Sequence, residues 1–138
     1  MSKLNKQEKT KRNQLQIEKP YVFEKCLKYD EKVARGESVA ILQFQYDYTC
    51  NLHCEHCCIK RFQDQGQQWK QEGKNVKCFT PESVAELGRQ ADALGLAHIV
   101  ITGGEPMVFP DFDAIVKALD PQKFYITSDS NGWFLDEK

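Results

Sequence analysis

The chain has 138 residues, an ordinary length for one domain, and 41% of them are hydrophobic, enough for a packed core. Charged residues make up 28% and the net charge is -1, so composition gives no global case for a nucleic-acid or anionic-membrane partner. No stretch approaches the ~20 apolar residues of a membrane span, and the N-terminus lacks the apolar core of a secretory signal. A cytoplasmic, reducing setting is expected, in which the six cysteines read as metal ligands or free thiols rather than disulfides.

Residues 1–20 carry six basic side chains against Glu8 and Glu18, a local net of +4. That predicts a disordered, solvated basic arm, with a nucleic-acid or partner-binding arm as the competing reading. Residues 21–37 form an N-terminal helical segment. Val22, Cys26, Tyr29 and Val33 recur at near-helical spacing, Phe23 and Leu27 widen the face, and Gly36 ends it. The helix, over about 20–34, is expected to pack on the outside of the domain.

The rest, 38–138, reads as one α/β unit. Val39–Tyr46 is the first strand: apolar at its start, then alternating Gln43 and Gln45 with Phe44 and Tyr46, so its end approaches a polar site. Residues 59–79 are rich in Gln, Lys and Arg without clear periodicity, and predict a flexible loop beside the site. Thr80 is a good N-cap with Pro81 at the first helical position, and Glu82 suits the positive helix end. Val84, Leu87, Ala91 and Leu94 line one face, and Gly95 stops the helix. His98–Thr102 is a second buried strand. Phe112, Ile115, Val116 and Leu119 mark another helix, and Phe124–Thr127 is a third strand. Alternation of helix and strand implies right-handed crossovers and a parallel sheet. Segments 47–58, 103–106 and 128–132 each follow a strand, so all three fall on the C-terminal edge where α/β sites sit.

The densest chemistry lies in Cys50-x3-Cys54-x2-Cys57. Three thiolates on one short loop can hold an iron–sulfur cubane and leave one iron open for another ligand. A zinc site that adds His53, His56 or Cys58 is the alternative, with Cys78 as a thin distant ligand. Spacing alone leaves both open. Cys58 and Cys26 read as small buried residues.

Cys50, Cys54 and Cys57 after a strand, followed by Gly103-Gly104-Glu105-Pro106 after the next and Ser130-Asn131-Gly132 after the third, resemble the motifs of the radical S-adenosylmethionine (radical SAM) superfamily. The resemblance covers roughly residues 38–132. It implies an α/β fold, a partial (β/α) barrel with about three strand–helix units. It implies a [4Fe–4S] cluster on the three cysteines, with the amino and carboxylate groups of S-adenosylmethionine on the fourth iron. Reductive cleavage would then give a 5′-deoxyadenosyl radical that abstracts hydrogen from a substrate. Gly103, Gly104, Glu105 and Pro106 would meet the methionine amino group, with Glu105 acting electrostatically or fixing the loop. His56 would contact the adenine, or else is an exposed loop residue. Ser128, Ser130 and Asn131 would hydrogen-bond ribose hydroxyls or the methionine carboxylate, though turn residues would look the same. The implied partners are S-adenosylmethionine and a flavodoxin- or ferredoxin-like electron donor. The motif wording most resembles the branch that modifies peptides, with cofactor-biosynthesis members as the nearest rival. The other reading is a non-catalytic iron–sulfur or zinc module. Three units against the six of the family's barrel suggest a truncated half, poorly stable by itself.

Overall fold

The computed structural model describes residues 6–74 and 79–135. Its elements run α1 (Lys6–Glu18), α2 (Pro20–Ala34), β1 (Leu42–Gln45), α3 (Lys60–Gln71), α4 (Pro81–Ala93), β2 (His98–Thr102), α5 (Phe112–Ala118) and β3 (Tyr125–Ser128). The strands form one parallel sheet in the order β1-β2-β3. Leu42 stands opposite Ile99 and Phe44 opposite Ile101; Ile99 in turn faces Ile126, and Ile101 faces Ser128.

This register puts one face of the sheet in the core. Phe44, Ile99 and Ile101 are buried there with Val84 and Ala91 of α4, and with Ile115, Leu119 and Phe124. The two covering helices approach closely because Gly88 lies over the backbone of Leu119, where a Cβ would stand 3.4 Å from its carbonyl oxygen. The opposite face carries Gln43, Gln45, His98, Val100, Thr102, Tyr125 and Thr127, by the two-residue alternation of strands. It is partly exposed, and His98 Nε2 meets Thr127 Oγ1 at 2.9 Å across it. A three-stranded sheet covered on one face fits a partial barrel; a closed barrel does not follow from it.

The capping of α4 follows from its sequence. Thr80 Oγ1 accepts from the Ser83 amide, Ser83 Oγ accepts from the Thr80 amide, and Gly95 adopts φ 72° beyond the helix end. The helix predicted over 20–34 is α2, with Val22 and Lys25 its buried residues. It reaches the C-terminal end of α4, and its Val22 is fully buried. There the Lys25 ammonium meets Asp92 Oδ1 at 3.0 Å and lies 4.2 Å from the centre of the Phe124 ring. Asp92 also accepts from the Tyr21 hydroxyl at 3.0 Å.

Two segments differ from expectation. Residues 6–18 are helix α1 rather than a disordered arm. Their Lys, Gln, Glu and Leu are good helix formers, Gln14 bonds Glu18 one turn on, and Arg12 pairs with Asp30 of α2. Residues 60–71, expected to be loop, are helix α3. Residues 1–5 of the arm, and 75–78 with Cys78, lie outside the described residues.

Candidate functional site

The C-terminal edge of the sheet is built by backbone before any side chain enters. The Tyr46 amide donates to Thr102 O at 2.8 Å, Gly104 N to Asp47 O at 2.9 Å, and Glu105 N to Thr49 O at 2.9 Å. The β1–β2 pairing thus continues past the strands and lays Gly103-Gly104-Glu105 along the entrance to the cysteine loop. That closeness demands glycine. A Cβ on Gly103, which has φ 150°, would stand 2.3 Å from Asp47 O, and one on Gly104 would stand 2.1 Å from Thr49 O. The space these glycines leave admits the chain just before Cys50.

Glu105 then ties in the third segment. Its side chain is fully buried and accepts from Met107 N at 2.9 Å, Ser130 Oγ at 3.0 Å and Asn131 N at 2.7 Å. These bonds tie Glu105 both to its own turn and to the 130–131 segment. Pro106, also buried, opens a 3-10 turn through Val108. Asn131 reaches back to the first segment: its Nδ2 donates to Asn51 Oδ1 at 2.9 Å and to Cys50 Sγ at 3.8 Å. Cys50 Sγ also accepts from the Leu52 amide at 3.4 Å. Segments 47–58, 103–106 and 128–132 therefore meet at one edge.

Cys50 and Cys57 are half-buried, Cys54 is exposed, and none of the three is in a disulfide. Cys57 N turns back to Cys54 O at 3.2 Å. Among the described residues no three Cys, His, Asp or Glu side chains gather around a single ion. A cubane asks for something else, one thiolate on each of three irons. A short loop of free thiols beside a glycine-lined edge fits that donor set.

His56 is exposed in the same loop. Ser130 is engaged with Glu105 rather than left open. Ser128 Oγ is buried with no hydrogen-bond partner among the described residues. Cys58, expected to be buried, is exposed, in the turn that leads into α3. Cys26 is half-buried on α2, and burial pushes its thiol up.

Sequence reasoning missed three contributors. Asn51 receives the Asn131 amide. Asp47 Oδ1 caps the Thr49 amide at 2.7 Å. Helix α3 flanks the loop: Phe62 stacks on Tyr48 with ring centres 5.5 Å apart, and Lys70 Nζ donates to Thr49 Oγ1 at 3.2 Å. The aromatic pair Phe62 and Trp69, seven residues apart, was the available signal for that helix.

Parallel strands feeding a thiol-bearing edge define an α/β protein with a candidate iron–sulfur site. Residues 47–138 match the Radical SAM superfamily, and the chain belongs to it. The superfamily consists of enzymes that use a [4Fe–4S] cluster and S-adenosylmethionine. A relative named probable GTP 3′,8-cyclase, from Thermococcus kodakarensis, is 33% identical over 102 residues, 74% of this chain and 30% of the relative. One of the same name from Methanocella arvoryzae is 31% identical over 90 residues, 65% of this chain and 26% of the relative. The GTP 3′,8-cyclase of Stenotrophomonas maltophilia is 30% identical over 81 residues, 59% of this chain and 22% of the relative. The chain thus spans less than a third of the length of these relatives. No solved structure matches it. No described helix is long and apolar enough to cross a membrane.

Proposed function

We propose that this chain supplies the cofactor-binding part of a radical SAM enzyme that abstracts hydrogen from its substrate. The observation that carries the reading is the joining of three loops at one sheet edge, with Cys50, the Gly103-Gly104 backbone and Asn131 in a single hydrogen-bonded unit. Cys50, Cys54 and Cys57 hold the cluster. Backbone carbonyls of the Gly103–Glu105 turn receive the methionine amino group, a donor that suits them. His56, exposed beside Cys57, offers a flat ring to the adenine. Ser128 Oγ, the buried hydroxyl without a partner among the described residues, is left to bond a ribose hydroxyl or the methionine carboxylate. Ser130 and Asn131 hold the loops together. When bound, the reduced cluster supplies the electron that cleaves S-adenosylmethionine to methionine and a 5′-deoxyadenosyl radical. The protein's part is to orient the two cofactors and keep water out.

The electron comes from a flavodoxin- or ferredoxin-like donor. The names of the relatives make GTP the first substrate to test; a peptide substrate has only motif wording behind it. Anaerobic reduction of the iron-loaded protein with S-adenosylmethionine is expected to release 5′-deoxyadenosine. A loaded cluster that releases none would return the chain to the reading of a non-catalytic iron–sulfur module, and one that takes zinc and no iron to that of a zinc module.

A further inference from the structure

Asn131 ties the third loop both to the buried Glu105 and to the cysteine loop. Its backbone amide is fixed by the buried Glu105 at 2.7 Å, and its side-chain amide is aimed at Cys50 Sγ at 3.8 Å while anchored on Asn51 Oδ1 at 2.9 Å. Its Oδ1 in turn accepts from Trp133 N at 2.9 Å. The carboxamide is held at both ends, so its N–H direction is set by the fold. With the Leu52 amide at 3.4 Å, Cys50 Sγ has two N–H donors directed at it. Cys50 as a thiol also points at Asn51 Oδ1, at 3.9 Å. As a metal ligand it would lose that proton and keep only the acceptor role.

A thiolate bound to iron gains negative charge when the cluster is reduced. Hydrogen bonds to cluster sulfurs therefore favour the reduced state and raise the potential. We propose that Asn131 is a positioning residue for the Cys50 thiolate and helps set the reduction potential of the cluster, with Glu105 holding Asn131 in place. Through Cys50, the third loop would thus govern how readily the cluster accepts an electron. The carboxamide is accordingly not available to the ribose or carboxylate of S-adenosylmethionine.

The inference rests on Cys50 being a cluster ligand. Failure of that assignment would show as a wild-type protein that takes up no iron; failure of this inference would show in loaded variants. The test is a redox titration of the reconstituted cluster, followed by electron paramagnetic resonance, in wild type, Asn131→Ala and Asn131→Asp. Pulsed measurements on the reduced cluster in D2O would count exchangeable hydrogens near it. Asn131→Ala is expected to shift the potential to more negative values and to remove one exchangeable coupling while iron content stays at the wild-type level. Asn131→Asp, nearly the same shape, serves if the alanine variant does not load; it lacks the donor, adds negative charge, and should shift the potential further. Loaded Asn131 variants with unchanged potential and unchanged couplings would overturn the proposal.

Discussion

The amide of Gly104 donates to the carbonyl of Asp47 at 2.9 Å, and the same residue leaves no room for a side chain: a Cβ there would stand 2.1 Å from Thr49 O and 2.6 Å from Tyr48 O. Both obstacles are backbone and cannot rotate aside. Gly104→Ala should therefore cost about 3 kcal/mol, the upper part of the range for overpacking, and should displace the loop bearing Cys50. At Gly66, in α3, a Cβ would have nothing within 4 Å, so Gly66→Ala should be neutral or stabilise by up to ~1 kcal/mol. Urea midpoints of the two variants check this. A tolerated alanine at 104 would mean that the GGEP turn does not lie on the 47–49 backbone.

Glu105 is fully buried with Met107 N, Ser130 Oγ and Asn131 N all donating to it. Glu105→Gln puts an NH2 group where an acceptor is needed and should cost about 1–3 kcal/mol. Glu105→Ala should cost more, since it also strands two backbone amides. Ser130→Ala removes one donor and should cost about 1 kcal/mol. Hydrogen exchange at the Asn131 amide should accelerate in both Glu105 variants. Unchanged protection there would show that this amide is not held by Glu105.

Helix α2 is held to α4 through Asp92, which accepts from Lys25 and Tyr21. Burial pushes the Asp92 carboxyl up, but the hydrogen bonds from Lys25 and Tyr21 and the nearby Lys25 and Lys123 charges outweigh it and hold the group below its ordinary value. A carboxyl lowered in the folded state stabilises the fold above its unfolded pKa, near 3.9, and loses that contribution as pH falls through the folded value. Wild type should therefore lose more stability between about pH 6 and about pH 3 than Asp92→Asn does. Melting temperatures across that range measure it. Parallel curves would mean that the Lys25–Asp92 contact is not made in solution.

The elements legible in the sequence are those whose local chemistry and tertiary role agree. The Thr80-Pro81 start and Gly95 stop of α4 read directly, and so does His98–Thr102, a β-branched run buried on one face. The first strand is shorter than its apolar run, because pairing with β2 begins only at Leu42 opposite Ile99. Helix α1 was hidden because it is polar nearly all round, and α3 because its narrow apolar face, Phe62 and Trp69, is set among Gln, Lys and Arg. Residue preference and the Arg12–Asp30 pair support α1, and the Tyr48–Phe62 stack anchors the apolar side of α3. At the site, the convergence of three strand ends follows from strand–helix alternation. What Glu105 and Asn131 each touch depends on how two loops distant in sequence fold together, and no motif carries that.

The central claim is that Cys50, Cys54 and Cys57 carry a cubane. Anaerobic reconstitution with iron and sulfide, in wild type and in single Cys→Ser variants, tests it most directly. The account predicts about four irons and four sulfides per chain for wild type, Cys58→Ser and Cys26→Ser, and loss of the cluster signal in Cys50→Ser, Cys54→Ser and Cys57→Ser. Tight zinc with no iron uptake, or a cluster indifferent to those three serines, would contradict it.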